Sequence, residues 1–192
     1  MDREKKAFSL LKSMKVGKIY RQSELQEDWP NSSHDLKALV DSGDLKKVSA
    51  GLYYRPQMSK YGSVAPADKE LVKSFLKDDD FLLVDVNSYN SLVSGLTQLS
   101  MGLKVLNRRR HGQFSLAGFK FDFRVRRDYP SKVTKEFLLV DMLDNVKEVE
   151  DGTSLKEKVS SRLSEYNSKN LLRMAKKYGN RSTQNFLKQV LG

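Results

Sequence analysis

The chain has 192 residues, enough for two small domains, and its 35 Lys and Arg against 24 Asp and Glu give a formal net charge of +11. This charge favours a polyanionic partner, most often nucleic acid and less often an anionic membrane surface. The lack of cysteine excludes disulfides, thiolate zinc sites and cysteine nucleophiles, and the lack of a signal-peptide or membrane-span pattern predicts a cytoplasmic protein with no membrane partner.

The first elements predicted along the chain are two helices joined by a short strand. Apolar residues recur at three- and four-residue steps from Lys5 to Met14, which indicates an amphipathic helix. Residues 16–20 favour β structure, as in the strand that often joins the first two helices of a winged fold. Ser23 is the predicted N-cap of the second helix, which ends before Pro30.

A third helix follows, with three adjacent cap candidates at residues 31–33 and an apolar side that includes Leu36 and Leu39. In helix-turn-helix proteins the N-terminal residues of this helix reach base edges, while its exposed amides contact phosphate. His34 has an alternative interpretation as a solvated surface residue. The predicted groove-facing set is Ser32, Ser33, His34 and Lys37.

A hairpin completes the predicted DNA-binding domain. Gly43 suits the left-handed position that ends a helix, and strands at residues 45–49 and 52–55 turn at residues 50 and 51. Side chains on such a wing commonly contact phosphate without reading sequence. The predicted wing contacts are Lys46, Lys47, Ser49 and Arg55. The alternative is a helix-plus-hairpin module that binds protein or RNA rather than DNA.

Residues 56–66 are rich in turn formers and predict a linker, after which apolar spacing indicates a helix that starts near Pro66 and Asp68. The acidic run at residues 78–80 is predicted to be a solvated turn. A metal site is the alternative, but consecutive carboxylates need a special loop and further ligands to converge on one ion.

The next segment predicts a small sheet. Residues 81–84 form an apolar run typical of a buried strand and lead into a helix that ends at Gly95. Strands are predicted at residues 103–106 and 119–125, the second because Phe and Val alternate with charged residues, and Gly112 and Gly118 bracket a turn region between them.

Several basic residues of the second half could bind an anion. The densest run is Arg108-Arg109-Arg110-His111, which can hold a phosphate backbone or act as a solvated edge that discourages strand pairing. Further helices are predicted from Val133 to the C-terminus, and basic residues fall on one side of one of them. The possible second basic patch comprises Arg108, Arg109, Arg110, Arg124, Arg126, Lys169, Arg173, Lys176 and Lys177.

Catalytic patterns are missing from the sequence. We find no glycine-rich phosphate loop, HExxH or GxSxG motif, and therefore predict a non-enzymatic protein without cofactor or metal. Asp141 is the one acid set in an apolar helix. It could be a buried functional acid, but helix capping or an internal salt bridge explains it more simply.

Motifs in a fixed order along the chain resemble the AbiEi family, the antitoxins of bacterial type IV toxin-antitoxin systems. The resemblance covers most of the chain. It is carried by Gly17 to Tyr20 with Ser23 to Leu25, Leu36 to Gly43, Val48 to Pro56, Asn90 to Gln98, Phe137 to Leu143 and Leu171 to Gly179.

The resemblance implies an α+β protein of two domains. Residues 1–62 would form a winged helix-turn-helix that binds inverted repeats of double-stranded DNA in its own promoter. Residues 63–192 would form a small α/β domain with a mostly antiparallel sheet and C-terminal helices, needed to oppose a nucleotidyltransferase-like toxin without necessarily binding it. A monomer in solution that multimerises on DNA is compatible with this prediction.

Overall fold

The chain has a mixed α+β fold with antiparallel strand pairs and C-terminal helices, as predicted. The computed structural model describes residues 2–30, 32–92, 102–145 and 152–192.

The chain divides into two compact units, and each combines separate stretches of sequence. The first consists of Met1–Asp79 with Gln113–Phe121, and the second of Asp80–Gly112 with Asp122–Gly192. The predicted boundary at residues 62 and 63 therefore falls inside the first unit.

The first unit begins with an alternation of helices and short strands: α1 (Asp2–Ser13), β1 (Ile19–Arg21), α2 (Gln22–Asp28), α3 (Ser32–Asp41), β2 (Lys46–Ser49) and β3 (Leu52–Tyr54). The strands form an antiparallel sheet in the order β1-β3-β2. Helices α1 and α3 pack together over a core that includes Leu10, Met14, Leu36 and Leu45. The predicted amphipathic spacing of both helices is confirmed.

Gly43 ends α3 as predicted. Its φ of +85° lies in the left-handed region that side chains other than glycine rarely adopt. The backbone N–H groups of Gly43 and Leu45 then bond back to carbonyls of Val40 and Leu39, at 3.1 and 2.9 Å. The chain therefore reverses within a few residues and begins β2.

The predicted cap of α2 is wrong, because the helix begins one residue before Ser23. Arg21 occupies the N-cap position and makes no side-chain capping bond. β1 runs directly into the helix, and the N–H of Gln22 bonds to the carbonyl of Gly51 at 2.9 Å. The hairpin backbone thus satisfies the first N–H donor of the helix, whereas the Ser23 hydroxyl was expected to serve the amides of residues 24–26. The cap candidate Asn31 lies outside the described residues.

The predicted linker contains a second antiparallel hairpin, formed by β4 (Gln57–Ser59) and β5 (Gly62–Val64). The following helix, α4 (Asp68–Leu76), packs against β1, and the guanidinium of Arg21 donates to the carbonyl of Ser74 at 2.5 Å. These contacts explain why the first unit extends past residue 62.

The remaining strands are β6 (Phe81–Asp85), β7 (Leu103–Asn107), β8 (Gly112–Leu116) and β9 (Phe119–Val125), and their order in the sheet is β6-β7-β9-β8. Gly112 begins β8, a strand where the sequence predicted a turn region. The helix predicted after β6 begins as a 3-10 helix at Val86–Ser91, capped by Asp85. Its predicted end at Gly95 lies outside the described residues.

The C-terminal half of the second unit is helical, with α5 (Lys135–Asp144), α6 (Gly152–Ser160), α7 (Ser168–Tyr178) and α8 (Arg181–Leu191). Side chains of Thr134, Asn167 and Asn180 cap α5, α7 and α8 by accepting backbone N–H bonds. Every residue of α5 from Phe137 to Leu143 is buried. A search of the described helices finds none with the length and apolar character to span a bilayer.

Candidate nucleic-acid interface

The outer face of α3 carries most of the predicted groove-facing set. Ser33, His34 and Lys37 are exposed, and the Ser33 hydroxyl accepts a bond from the amide of Gln22 at 2.9 Å. Ser32 is fully buried instead, and its hydroxyl has no hydrogen-bond partner within the described ranges. The prediction that Ser32 faces a DNA groove is therefore wrong, since residue 32 begins the helix on its core side.

The first hairpin presents two of its four predicted contacts at the surface. Lys46 and Lys47 are exposed, whereas Ser49 is half-buried beside a register shift in the strand pair. The guanidinium of Arg55 bonds to the carbonyls of Leu11 and Met14, both at 3.1 Å. Arg55 therefore binds the C-terminal end of α1, where a cation is favoured. The prediction that Arg55 is a wing contact is corrected by these bonds.

The β2–β3 and β4–β5 hairpins lie in a stretch without acidic residues. Residues 45–67 contain no Asp or Glu and four cations, which are Lys46, Lys47, Arg55 and Lys60. Exposed lysines that have no acid beside them in sequence keep their attraction for a polyanion. The absence of acids over residues 45–67 is visible in the sequence. It is not obvious there, because the stretch covers both the predicted hairpin and the predicted linker.

The arrangement can engage phosphate and a groove together. The exposed residues Ser33 and His34 lie in the first turn of α3, where the backbone N–H groups of a helix N-terminus favour anions, and Lys37 lies about one turn further along. The hairpin lysines would add sequence-independent phosphate contacts, each of which increases the salt dependence of binding. Of the predicted set, the residues that retain exposed positions for such contacts are Ser33, His34, Lys37, Lys46 and Lys47.

The arginine cluster of the second unit forms a fixed turn. The Asn107 side-chain oxygen accepts bonds from the backbone N–H groups of Arg109 and Arg110, at 2.9 and 2.7 Å. Arg108 forms a salt bridge with Asp80 at 3.0 Å and lies over the ring of Tyr129. The three arginines and His111 are exposed, but Arg108 is already engaged by an acid.

Arg124 and Arg126 do not belong to an open basic patch. Arg124 makes two bonds to the carboxylate of Asp122, at 2.8 and 2.9 Å. Arg126 binds Asp141 at 2.9 Å and Asp144 at 3.3 Å, and also donates to the carbonyl of Tyr178. The prediction that these arginines extend the patch is corrected by their acidic partners.

A buried polar network surrounds Asp141. One carboxylate oxygen accepts bonds from the Tyr89 hydroxyl at 2.5 Å and from the Lys104 ammonium at 3.1 Å, while the other binds Arg126. Lys104 is only 4% exposed and Asp141 only 1%. Every partner that Asp141 contacts donates to it, so the carboxylate is held as the buried counter-ion of two cations.

Asp144 extends the network toward α8. Its carboxylate accepts the backbone N–H of Asn180 at 2.9 Å and also bonds to Thr183. Burial raises the pKa of Asp144 above its ordinary value, and these hydrogen bonds and Arg126 oppose the rise. The internal salt bridge considered for Asp141 is present, in a network that ties β7 and the end of β9 to α5.

The predicted basic residues of α7 are all exposed: Lys169, Arg173, Lys176 and Lys177. They belong to a second acid-free stretch, since residues 166–192 contain six Lys or Arg and no Asp or Glu. The helix therefore offers an anion a face with no competing carboxylate on α7 or α8. This supports the possible second basic patch without Arg124 and Arg126.

Other site types have little support in the described ranges. No cluster of three or more His, Asp or Glu that could hold a metal occurs there. An open cavity of about 300 Å³ lies in the first unit, and its lining combines cationic, acidic and apolar side chains. This mixture selects no single ligand class. Its lining residues are Ile19, Arg21, Glu24, Leu52, Lys73, Ser74, Lys77, Asp78 and Asp79.

Comparison with protein-family models, with curated proteins and with solved structures finds no match to this chain.

Proposed function

We propose that the protein is a DNA-binding transcriptional repressor whose first unit is a winged helix-turn-helix, and that it acts in the cytoplasm as the antitoxin of a type IV toxin-antitoxin system. In this proposal α3 enters the major groove and the β2–β3 hairpin is the wing. The protein carries out no catalysis and needs no cofactor.

One observation carries the DNA-binding part of the proposal. The element order α1-β1-α2-α3-β2-β3 and the sheet order β1-β3-β2 combine with an exposed, lysine-bearing face on α3. The second helix of a helix-turn-helix reads bases from its N-terminal turns, and a hairpin beside it contacts the backbone. His34 and Lys37 lie in those turns of α3, and Lys46 and Lys47 lie on the hairpin.

The antitoxin part rests on the resemblance to the AbiEi family. The protein would bind inverted repeats in its own promoter, multimerise there and repress its operon. Its second unit would oppose a nucleotidyltransferase-like toxin encoded beside it, with or without direct contact. The exposed basic residues of α7 offer the second unit a surface for an anionic ligand in that role.

A binding series on upstream DNA tests the repressor. Purified full-length protein is titrated into labelled duplex from upstream of its own reading frame and into a shuffled duplex of equal composition. We expect preference for the upstream duplex and affinity that falls steeply with salt, because lysine contacts release counterions. Equal affinity for both duplexes at every salt concentration would contradict the proposal.

Co-expression tests the antitoxin. The adjacent reading frame is induced in a bacterial host with and without this protein, and colony survival is counted. We expect survival to be restored by the full chain. No rescue, or an adjacent frame that is not toxic, would remove this part and leave the repressor proposal standing.

A second candidate function is an interaction module for RNA or an acidic protein. The acid-free stretch of residues 166–192, with its six cations, is the observation that favours it. Co-purification of RNA or of the neighbouring gene product, without a preference among DNA duplexes, would support this candidate over the repressor.

A further inference from the structure

The β4–β5 hairpin has the composition of a ligand-contacting element rather than of a connector. Its strands are almost wholly exposed, and its apolar side chains face water: Tyr61 is 88% exposed, Met58 72% and Val64 47%. The register places Met58 and Val64 on opposite faces and Tyr61 at the tip, so both faces and the tip expose a large apolar group. Exposed apolar groups on a surface element without a core of its own are typical of places where something binds.

The tip of this hairpin is held in one conformation. The Ser59 hydroxyl accepts the backbone N–H of Tyr61 at 3.2 Å and donates to the carbonyl of Gly62 at 2.9 Å. Gly62 has a φ of +110°, which suits glycine at the end of a tight turn. Because the turn is ordered in advance, binding through it costs little additional conformational entropy.

Charge selects the occupant of the hairpin. The Lys60 ammonium lies 4.8 Å from the centre of the Tyr61 ring, so the tip is both cationic and aromatic. The hairpin belongs to the acid-free stretch of residues 45–67, and no carboxylate competes along it. An acid-free tip with a lysine and an aromatic ring is complementary to duplex DNA, whose phosphates flank a minor groove that apolar side chains can enter.

The position of the hairpin points to the same DNA as the first wing. The Lys46 ammonium on β2 donates to the Ser63 hydroxyl on β5 at 2.5 Å, which joins the edges of the two hairpins. A ligand that contacts Lys46 and Lys47 therefore lies beside β5 as well. Arms that accompany a helix in the major groove commonly reach into the adjacent minor groove, which is about 6 Å wide and admits single side chains.

We propose that the β4–β5 hairpin is a second wing that contacts duplex DNA, with Lys60 on the phosphate backbone and Tyr61 in the minor groove beside the site of α3. This inference rests on the proposed function of the first unit. It assigns to DNA a segment whose sequence indicates only a linker, and it adds A·T-versus-G·C preference outside the bases that α3 reads.

Substitution at the tip tests the second wing. Tyr61→Ala and Lys60→Ala are each made in the full chain and titrated against the upstream duplex and the shuffled duplex. We expect Tyr61→Ala to weaken upstream binding roughly tenfold, the lower end of the scale for loss of one contact with a base pair in a duplex groove. Lys60→Ala should weaken both duplexes alike and lower the salt slope by about 1.

Phe119→Ala is the matched control, because Phe119 is an exposed aromatic residue of the same unit at the start of β9. It should bind both duplexes as the wild type does. Circular dichroism checks that the variants fold like the wild type, so that a change in affinity is not caused by misfolding. Tyr61→Ala that binds like Phe119→Ala while the wild type still prefers the upstream duplex overturns the second wing but not the repressor. A wild type without preference overturns the repressor first.

Crosslinking identifies what Tyr61 contacts. Tyr61→p-benzoylphenylalanine keeps an aromatic side chain, and irradiation with the labelled upstream duplex should produce a protein–DNA adduct at 61. A crosslink between two copies of the chain, with no DNA adduct, would assign the hairpin to self-association and overturn the proposal.

Discussion

Two groups of cations, one in each unit, use their positive charge in opposite ways. In the first, Lys37 and Lys47 are exposed, and the hairpin lysines lie in a stretch of residues 45–67 without acids. In the second, Lys104 and Arg126 are turned inward and bound to Asp141. Counted in the sequence, these cations look alike. Burial and pairing decide which can meet a polyanion, since a charge held by an internal carboxylate has little attraction left for an external one.

The largest effect is expected from removing Asp141, the counter-ion of the buried cations in the second unit. Asp141→Ala would leave Lys104 in the interior without its carboxylate, while Arg126 would keep only Asp144 as an acidic partner. We expect a loss of about 3–5 kcal/mol in unfolding free energy, chiefly from the unpaired lysine. Urea denaturation of the full chain measures it. Asp122→Ala is the control, because Asp122 pairs with Arg124 nearer the surface and should cost only about 0–1 kcal/mol. Equal losses from both variants would show that the buried network adds nothing special.

Local pattern predicted most of the first unit and part of the second. The helices α1 and α3 were predictable because their apolar residues recur with helical spacing. The β2–β3 hairpin was predictable because Gly43 and Gly51 mark turns that need positive φ. These signals lie within a few residues of the elements they define, so one sequence is enough to find them.

What the sequence could not predict depends on residues far apart in the chain. Lys104 alternates with apolar neighbours like an outward-facing strand residue, and it is buried because Asp141, 37 positions later, supplies the charge partner. Arg55 is not available on the wing surface, because its guanidinium binds a carbonyl at the end of α1, 44 positions earlier in the chain. The β4–β5 hairpin could not be distinguished from a linker in the sequence, because residues 56–66 are rich in turn formers and its three-residue strands bury no apolar side chain.

The next largest effect is expected on base recognition by the exposed face of α3. Replacing Ser33 and Lys37 together by Ala should reduce the preference for upstream over shuffled duplex by tenfold or more, since each good base contact contributes about 1–3 kcal/mol of discrimination. Competition binding measures the ratio. Lys69→Ala is the matched control, because Lys69 is an exposed lysine of α4 outside the predicted contact set. A ratio that stays at the wild-type value would remove α3 as the reading helix.

A smaller and uniform effect is expected at the hairpin. Lys46→Ala with Lys47→Ala should weaken upstream and shuffled duplexes alike and reduce the salt slope by about 2, one unit for each phosphate contact. Affinities measured over a salt series give the slope. If this pair changes sequence preference as strongly as Ser33 and Lys37 do, the division between reading helix and positioning wing is wrong.

The smallest effect probes the edge of the buried network. Burial raises the pKa of Asp144, so the folded chain keeps the carboxyl proton to higher pH than the unfolded chain. The contribution of this proton to the unfolding free energy is fully present below the ordinary pKa of Asp. It is lost as pH rises through the raised pKa of Asp144. Asp144→Asn removes this titration, so its unfolding free energy should vary less with pH across that window. Denaturation at a series of pH values gives the unfolding free energy of both proteins. The same dependence on pH in the variant and the wild type would contradict the prediction.

The central claim is that the exposed, acid-poor cations of the first unit bind duplex DNA with sequence preference. The most direct measurement is the affinity of the full chain for the upstream and shuffled duplexes between low and physiological salt. We expect tighter binding to the upstream duplex throughout, with a log–log salt slope of about −3 or steeper from Lys37, Lys46 and Lys47 together. Equal affinities, or a slope near zero, would contradict the claim.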